Sequence, residues 1–374
     1  MDDNLPMKVP PKRGMRRSGK GPTVTDVARE AGVSPMTVSR VVNKDANVVA
    51  ATRAKVEAAI ARIGYVPNQA ARALAGARQC RIALLHDNPS ATWLSELLVG
   101  CLAQTSESDA QLLVEQSVRL ASPEQWAAHL VSHRIDGVIL PAPLCDDADL
   151  LAALAQAGLA MVQVASGKPS PIADSVAIDD RTAALIMTRK LIALGHRSIG
   201  FIAGNPNQTA SALRQAGYQA ALAEAGIVSD PGLIVAGDFT YLSGLSAANA
   251  LLDHEERPTA IFASNDDMAA AVVAMAYRRR IEIPRDLSVC GFDDTALSTK
   301  IWPELTTVHQ PIGDMAREAT RLVIEAVLAQ RDATPRAARH VCLPSGIVER
   351  NSVAAPQSNS RVTSGCQVGF DDVC

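Results

Sequence analysis

Residues 34–40 read SPMTVSR: hydroxyls, a thioether and a guanidinium crowded into one short stretch. The hydroxyls and the guanidinium donate hydrogen bonds to phosphate oxygens, and arginine also reads the major-groove edge of guanine. They can act together only if one helix face presents them, and the spacing supplies that face. Ser34 is a good N-cap, Pro35 suits the first helical position, and Val38, Val41 and Val42 form an inner stripe. Met36, Thr37, Ser39 and Arg40 are left outward. Upstream, Thr23 stands three residues before Asp26, the spacing of a capping box. Val24, Val27, Ala28 and Ala31 share the inner face of that helix, and Gly32 ends it. Two helices around so tight a turn can seat the second in the major groove of DNA. A third helix, about 51–63, buries Val56, Ala59, Ile60 and Ile63 before Gly64 stops it.

A second set of polar side chains falls where strands should end. RIALLHD, QLLVEQS, GVILPAP and AMVQVAS form one series of short apolar strands alternating with helices; SIGFIAG, LIVAGD, AIFASND and LSVCGFDD form another. Buried strands separated by helices predict parallel sheets covered on both faces, hence two α/β lobes. Ligands of open α/β sheets bind beyond the carboxyl ends of the strands. Asp87-Asn88, Asn265-Asp266 and Asp293-Asp294 occupy such positions.

Charge separates the chain as sharply as pattern does. Residues 1–80 carry a net +8 and residues 81–374 a net −11. A basic head on an acidic body is the footprint of a nucleic-acid-binding module fused to a part that does not touch nucleic acid. The 374 residues suit two or three domains; with 48% hydrophobic and only 3% aromatic residues, the core must be Ala, Val, Leu and Ile. Seven scattered cysteines without a CxxC fit reduced thiols in the cytoplasm, not a disulfide framework or structural zinc. The first twenty residues are basic and hold no apolar stretch long enough for a signal peptide, and no run of about eighteen apolar residues appears, so neither export nor a membrane span is expected. His129 and His133 stand four apart on a helix, but without a third ligand nearby they read as a solvated pair, and no metal is expected. No P-loop, no GxGxxG after a strand and no GxSxG is present, so nothing supports catalysis and no cofactor is expected. Residues 1–21 read as a disordered basic arm and residues 350–374 as a disordered tail. QAARALAG, residues 69–76, is too short to hold a helix unaided; two copies packed together on DNA could hold it.

TVTDVAREAGVSPMTVSRVVN followed by ATRAKVEAAIARIGYVPNQAARALAG resembles the DNA-binding head and hinge of the lactose-repressor (LacI) family. LIALGHRSIGFIAG, RPTAIFASNDDMAAA, LSVCGFDDT and LTTVHQPI resemble its sensor body. Together these stretches run in order through about residues 22–349. The resemblance implies an α/β fold: two doubly wound, periplasmic-binding-protein-like lobes joined by three crossovers and preceded by a small all-α helix-turn-helix DNA-binding domain. The head would take residues 22–67, a hinge helix or linker 68–80, and an effector-binding, dimerising core 81–349. Within the core, the N-lobe would take about 81–178 and 310–340, and the C-lobe about 179–309 and 341–349.

The same resemblance implies partners and sites. Two copies would sit on a pseudo-palindromic operator in double-stranded DNA, controlled by a small-molecule effector, a sugar or sugar acid. Pro35 and Met36 fall where the family reads base edges, and Arg40 where an arginine contacts a base or a phosphate. Thr23, Ser34, Thr37, Ser39, Asn43, Tyr65 and Asn68 fall at positions that touch the DNA backbone. Leu74 matches a leucine that wedges into the minor groove, where unstacking a base step permits a bend and more contacts. In the cleft, Arg214 matches an arginine that grips effector hydroxyls or carboxylates. Asn265 and Asp293 match polar effector contacts, and Phe239 an aromatic that stacks on a sugar face. Asp87, Asn88 and Gln310 line the other wall. Two departures stand out. Val49 replaces the usual serine cap of the third helix, leaving Asn47 as a substitute. The tail lacks leucine heptads, which favours a dimer over a tetramer. Ala75 stands where corepressed relatives often carry lysine, which leans toward induction.

These readings favour a repressor of carbohydrate-utilisation genes released from DNA by its effector. The alternatives are a repressor that needs its effector in order to bind, a sugar binder with no DNA role, and an enzyme on the same lobes. The basic head argues against the sugar binder with no DNA role and the missing motifs against the enzyme.

Overall fold

The structure, a computed structural model, describes residues 22–42, 48–65, 79–108, 110–116 and 122–357. The expectations for Asn43, Asn47, Asn68, Leu74 and Ala75, the arm 1–21 and the chain beyond residue 357 lie outside these residues. The chain divides into two compact units, Met1–Gln79 and Cys80–Cys374.

In the first unit, α1 (Val24–Ala31), α2 (Pro35–Val42) and α3 (Ala50–Ile63) enclose a core of Val27, Ala28, Val38, Val41, Val56, Ala59 and Tyr65. Local chemistry fixes the ends. The Thr23 amide and hydroxyl both donate to Asp26 Oδ2, at 2.9 and 2.7 Å, which holds that carboxyl below its ordinary range. Gly32 ends α1 in the left-handed region at φ 65°, a conformation that costs glycine nothing. Ser34 Oγ accepts from the Thr37 amide at 3.1 Å and so opens α2. Val49 gives α3 no side-chain cap; its carbonyl accepts from the Thr52 and Arg53 amides at 2.9 and 3.0 Å instead.

The second unit contains two six-stranded sheets. The first has the order β11-β5-β4-β3-β1-β2, all parallel: β1 Cys80–His86, β2 Ala110–Gln116, β3 Gly137–Pro141, β4 Ala160–Val164, β5 Asp174–Ala177 and β11 His340–Cys342. The second has the order β12-β10-β9-β8-β6-β7: β6 Ile199–Ile202, β7 Ile234–Val235, β8 Ala260–Ala263, β9 Ser288–Asp293, β10 Thr306–His309 and β12 Gly346–Val348. Only β12 runs antiparallel to its neighbour. Strands β3, β4, β6, β8 and β9 are buried throughout, as expected for sheets covered on both faces. The helices are α4 Ala91–Glu107, α5 Pro123–Ser132, α6 Ala148–Gln156, α7 Asp180–Ala193, α8 Thr209–Glu224, α9 Tyr241–Leu252, α10 Asp266–Arg278 and α11 Ile312–Arg331.

The backbone passes between the lobes after β5, after β10 and after β11, which gives the three crossovers that the resemblance implies. Three sequence-based expectations change. First, β11 pairs with β5 in the first sheet, His340 opposite Ser175 and Cys342 opposite Ala177, so the last crossing follows Cys342 and not residue 340. Second, the chain past residue 349 is not a tail at its start. Ser352 is fully buried; its hydroxyl donates to the Val289 carbonyl at 2.5 Å and accepts from the Thr306 amide at 2.9 Å, while its own carbonyl accepts from the Val289 amide. The Ala354 carbonyl accepts from Ser288 Oγ and contacts His196 Nε2. Polar bonds fasten this segment, so an apolar period could not reveal it. Third, His129 is not simply solvated: it is half-buried, with Nε2 2.7 Å from Glu115 Oε2. Among the described residues, no helix is long and apolar enough to cross a membrane.

Candidate functional site

The outward face of α2 carries the first candidate site. Met36 is 67% exposed, Ser34, Pro35 and Arg40 are exposed, and Thr37 and Ser39 are half-buried. Thr23 is exposed at the start of α1. Tyr65 stands apart. It is only 6% exposed and packs in the head's core, so its ring is a packing group before it is anything else.

The second candidate site lies in the cleft between the lobes. Its residues come from both. Asn88, Ser90, Trp93, Ala142 and Ala165 belong to the first lobe; Gln208, Ala210, Arg214, Phe239, Asn265 and Asp293 belong to the second; Gln310 sits on the crossing segment after β10. The free cavity among them is only about 30 Å³, room for no more than about two waters. Six of the seven residues expected here line it. The exception is Asp87, which is exposed beyond the end of β1; Ser90 and Trp93, at the start of α4, take that wall instead.

Arg214 is the centre of this site and is 4% exposed. It projects from α8, whose Gly217 lies against α7. A Cβ on Gly217 would stand 2.2 Å from the Arg181 carbonyl oxygen, so only glycine lets the two helices approach this closely. That approach brings Asp180 to Arg214, whose Nε donates to Asp180 Oδ1 at 2.8 Å. Arg214 Nη1 donates to the Ser264 carbonyl at 2.5 Å and to Asp293 Oδ1 at 3.5 Å. The guanidinium carbon lies 3.6 Å from the centroid of Phe292 and 5.7 Å from that of Phe239, within cation–π range of both rings. Burial pushes Asp180 and Asp293 above the ordinary carboxylate range, and the Arg214 charge opposes that push.

Strand and helix ends position the remaining groups. Asn265 caps α10: Oδ1 accepts from the Met268 amide at 2.9 Å and Nδ2 donates to the Phe239 carbonyl at 2.9 Å. Its amide therefore holds Phe239, which sits at φ 71°, a strained backbone for a bulky residue. The Phe239 ring covers Gly204, where a Cβ would stand 2.0 Å from Cζ. Asp293 ends β9 at φ 106°. Trp93 Nε1 donates to Gln310 Oε1 at 3.3 Å. The side-chain nitrogens of Gln208 and Gln310 are buried without a hydrogen-bond partner among the described residues. Sequence reasoning omits Ser90, Trp93 and Gln208. The N-cap position of Ser90 and the rarity of tryptophan, with 3 in the chain, were the available signals.

Direct bonds tie the lobes together around this cavity. Ser90 Oγ donates to Asp267 Oδ2 at 2.5 Å. The Thr209 amide and hydroxyl donate to Asp146 Oδ2 at 2.7 and 2.8 Å, and the Gly167 amide donates to Thr209 Oγ1 at 2.7 Å. The Ala296 amide donates to Glu96 Oε1 at 3.0 Å. The lobes are closed.

A two-lobed binding body on the same chain as a basic helix-turn-helix head defines a class: regulators of transcription that combine a DNA-reading module with a ligand-binding one. Residues 23–68 match the bacterial regulatory proteins of the lacI family, and residues 188–353 match the periplasmic binding protein-like domain. Catabolite control protein A of Priestia megaterium is 36% identical over 309 residues, spanning 80% of this chain and 91% of that protein. A lac repressor dimer bound to operator and the anti-inducer ONPF superposes with a TM-score of 0.71 at 29% identity, over 90% of this chain and 100% of that one. A complex of the transcriptional regulator CelR with cellobiose superposes with a TM-score of 0.67 at 31% identity, over 88% and 99%. The chain belongs to the lacI family of bacterial regulatory proteins; it is a DNA-binding regulator of transcription, not an enzyme.

Proposed function

We propose that this protein is a cytoplasmic, dimeric repressor of carbohydrate-utilisation genes, released from a pseudo-palindromic operator when a small sugar or sugar derivative occupies the cleft. Two heads read the operator half-sites through Pro35, Met36 and Arg40, with Thr23, Ser34, Thr37, Ser39, Asn43, Tyr65 and Asn68 on the backbone and Leu74 as the minor-groove wedge. Asn88, Arg214, Phe239, Asn265, Asp293 and Gln310 contact the effector. The head takes residues 22–67 and the hinge 68–79; the core starts at Cys80, the first residue of β1, and not at residue 81 as the sequence suggested.

The observation that carries this reading is a cavity built from both lobes around a guanidinium held by two carboxylates. A ligand there touches both lobes at once, so occupancy and lobe geometry are one variable. The solved relatives support the assignment: one is a dimer on its operator and another holds cellobiose. The cavity is smaller than any sugar ring, so binding requires the lobes to part or the lining side chains to move.

Gel retardation of genomic fragments by the purified protein, with and without a sugar panel, tests the proposal. The expected result is sequence-selective retardation that one sugar abolishes. Retardation that appears only when a sugar is added makes the sugar a corepressor; no selective retardation in any condition ends the proposal. Binding should also weaken steeply with salt, because each head neutralises several phosphates.

A further inference from the structure

We infer that the molecule this cleft accepts is uncharged, a compact sugar or polyol, and that sugar acids and sugar phosphates are rejected. The inference rests on reading the cleft as the effector site. Arg214 is the only cation among the residues lining the cavity, and its charge is already committed: Asp180 and Asp293 lie 2.8 and 3.5 Å from its nitrogens, both buried. One guanidinium against two carboxylates leaves no positive charge to spare, even if one carboxyl keeps a proton. Two more carboxylates stand close by. Asp266 is buried and bonded to Thr295 and Thr307, and Asp267 accepts from Ser90 across the cleft. Their negative charges reinforce the upward push on the Asp293 carboxyl. An incoming carboxylate or phosphate would give up its water and meet no free cation, a desolvation that nothing offsets.

Apart from Arg214 Nη2, whose charge is shared with the two carboxylates, the unspent donors of the site are neutral. Gln208 Nε2 and Gln310 Nε2 are the buried donors without partners, and an uncharged amide matches a hydroxyl or ring oxygen. A hydroxyl that accepts from an amide can also donate to Asp293, a pairing no fully ionised phosphate can make. Trp93 and Phe239 supply flat apolar walls for the carbon face of a ring. The chemistry fits a neutral ring with several hydroxyls at each point.

Isothermal titration calorimetry on the full chain decides the matter, with matched series: ribose, glucose and galactose against their phosphate esters and their sugar acids. The expected result is that one neutral sugar binds and its charged counterparts bind at least about tenfold more weakly, a gap of ~1.4 kcal/mol. Asp293→Asn, which keeps the shape and removes a charge, should narrow that gap. A charged counterpart that binds as tightly as its neutral parent overturns the inference and leaves the effector reading of the cleft standing. If no sugar of either kind binds at any attainable concentration, the effector reading itself falls, and the inference with it.

Discussion

Replacing Arg214 with alanine removes the one group that makes two buried carboxylates tolerable. Asp180 is fully buried and Asp293 is 4% exposed. With the guanidinium gone, Asp180 Oδ1 loses its only bond among the described residues, and its Oδ2 has none to begin with. Removing one partner of a buried ion pair costs ~3–5 kcal/mol, because the remaining charge is stranded. For a body of this size the melting temperature should fall by on the order of 10 °C. The variant should also respond to acid. The folded carboxyls titrate above their unfolded range already, and more so without the arginine. Folding then takes up protons, so stability is lost as pH rises and recovers as pH falls through the folded values. Calorimetric unfolding of the body across pH reads both effects, and gel retardation of the same variant reads the functional one: operator binding retained, effector response lost. A stability loss under about 1 kcal/mol with no added acid recovery would refute the ion-pair argument. Loss of operator binding together with effector response would make Arg214 structural.

Arg40→Ala should weaken operator binding by about 1–3 kcal/mol and leave effector binding intact; fluorescence anisotropy at constant salt showing unchanged operator affinity would remove Arg40 from the interface. Thr209→Val deletes the hydroxyl that joins Asp146 and Gly167 across the lobes. At about 0.5–1.5 kcal/mol for each of the two bonds, effector affinity should drop about tenfold, and an unchanged dissociation constant would show that closure does not depend on this contact. Gly204→Ala drives a methyl into the Phe239 ring and should abolish effector binding while leaving the head's operator contacts available; calorimetry with an identified sugar checks it. Burial raises the Asp266 carboxyl to about 7. Its contribution to stability is therefore greatest below about pH 4 and is lost as pH rises toward 7, a swing on the order of 4 kcal/mol that Asp266→Asn should flatten in a pH series of melting temperatures.

The sequence disclosed what periodicity and end chemistry write locally. The head's three helices carry their caps and stops in Thr23, Gly32, Ser34 and Gly64, and the main strands announce themselves as short apolar runs. The strands at Asp174–Ala177, Thr306–His309, His340–Cys342 and Gly346–Val348 did not, because each has at most four residues and several are buried polar ones held by hydrogen bonds, such as Ser175 and Thr306. The last helix, Ile312–Arg331, does carry a periodic stripe in Ile312, Met315, Ala319, Leu322 and Val323, a pattern visible in the sequence. At the cleft, resemblance placed Arg214 and Asp293, but no local pattern could show that the arginine is already neutralised by Asp180, 34 residues away. Asp87 failed for the opposite reason. The end of a strand is a good prior for a ligand contact, but the first residue past β1 turns outward and Ser90 and Trp93 fill the wall.

Closure and ligand chemistry meet in the two glutamines. The bonds between the lobes at Asp146–Thr209, Ser90–Asp267 and Glu96–Ala296 favour the shut cleft. Shutting it buries the Gln208 and Gln310 amides without partners, at about 1–3 kcal/mol for each donor left unsatisfied. A ligand whose oxygens meet those donors removes that penalty in the closed form alone, which is the differential affinity that any shift between two states requires. The size matches the coupling of about 1–3 kcal/mol that regulation of this kind typically needs. Replacing both glutamines with leucine should therefore separate closure from occupancy: lobes that stay shut without sugar, as small-angle scattering would show, and an operator affinity that sugar no longer changes. Scattering that still varies with sugar in the double variant would place the coupling elsewhere in the cleft.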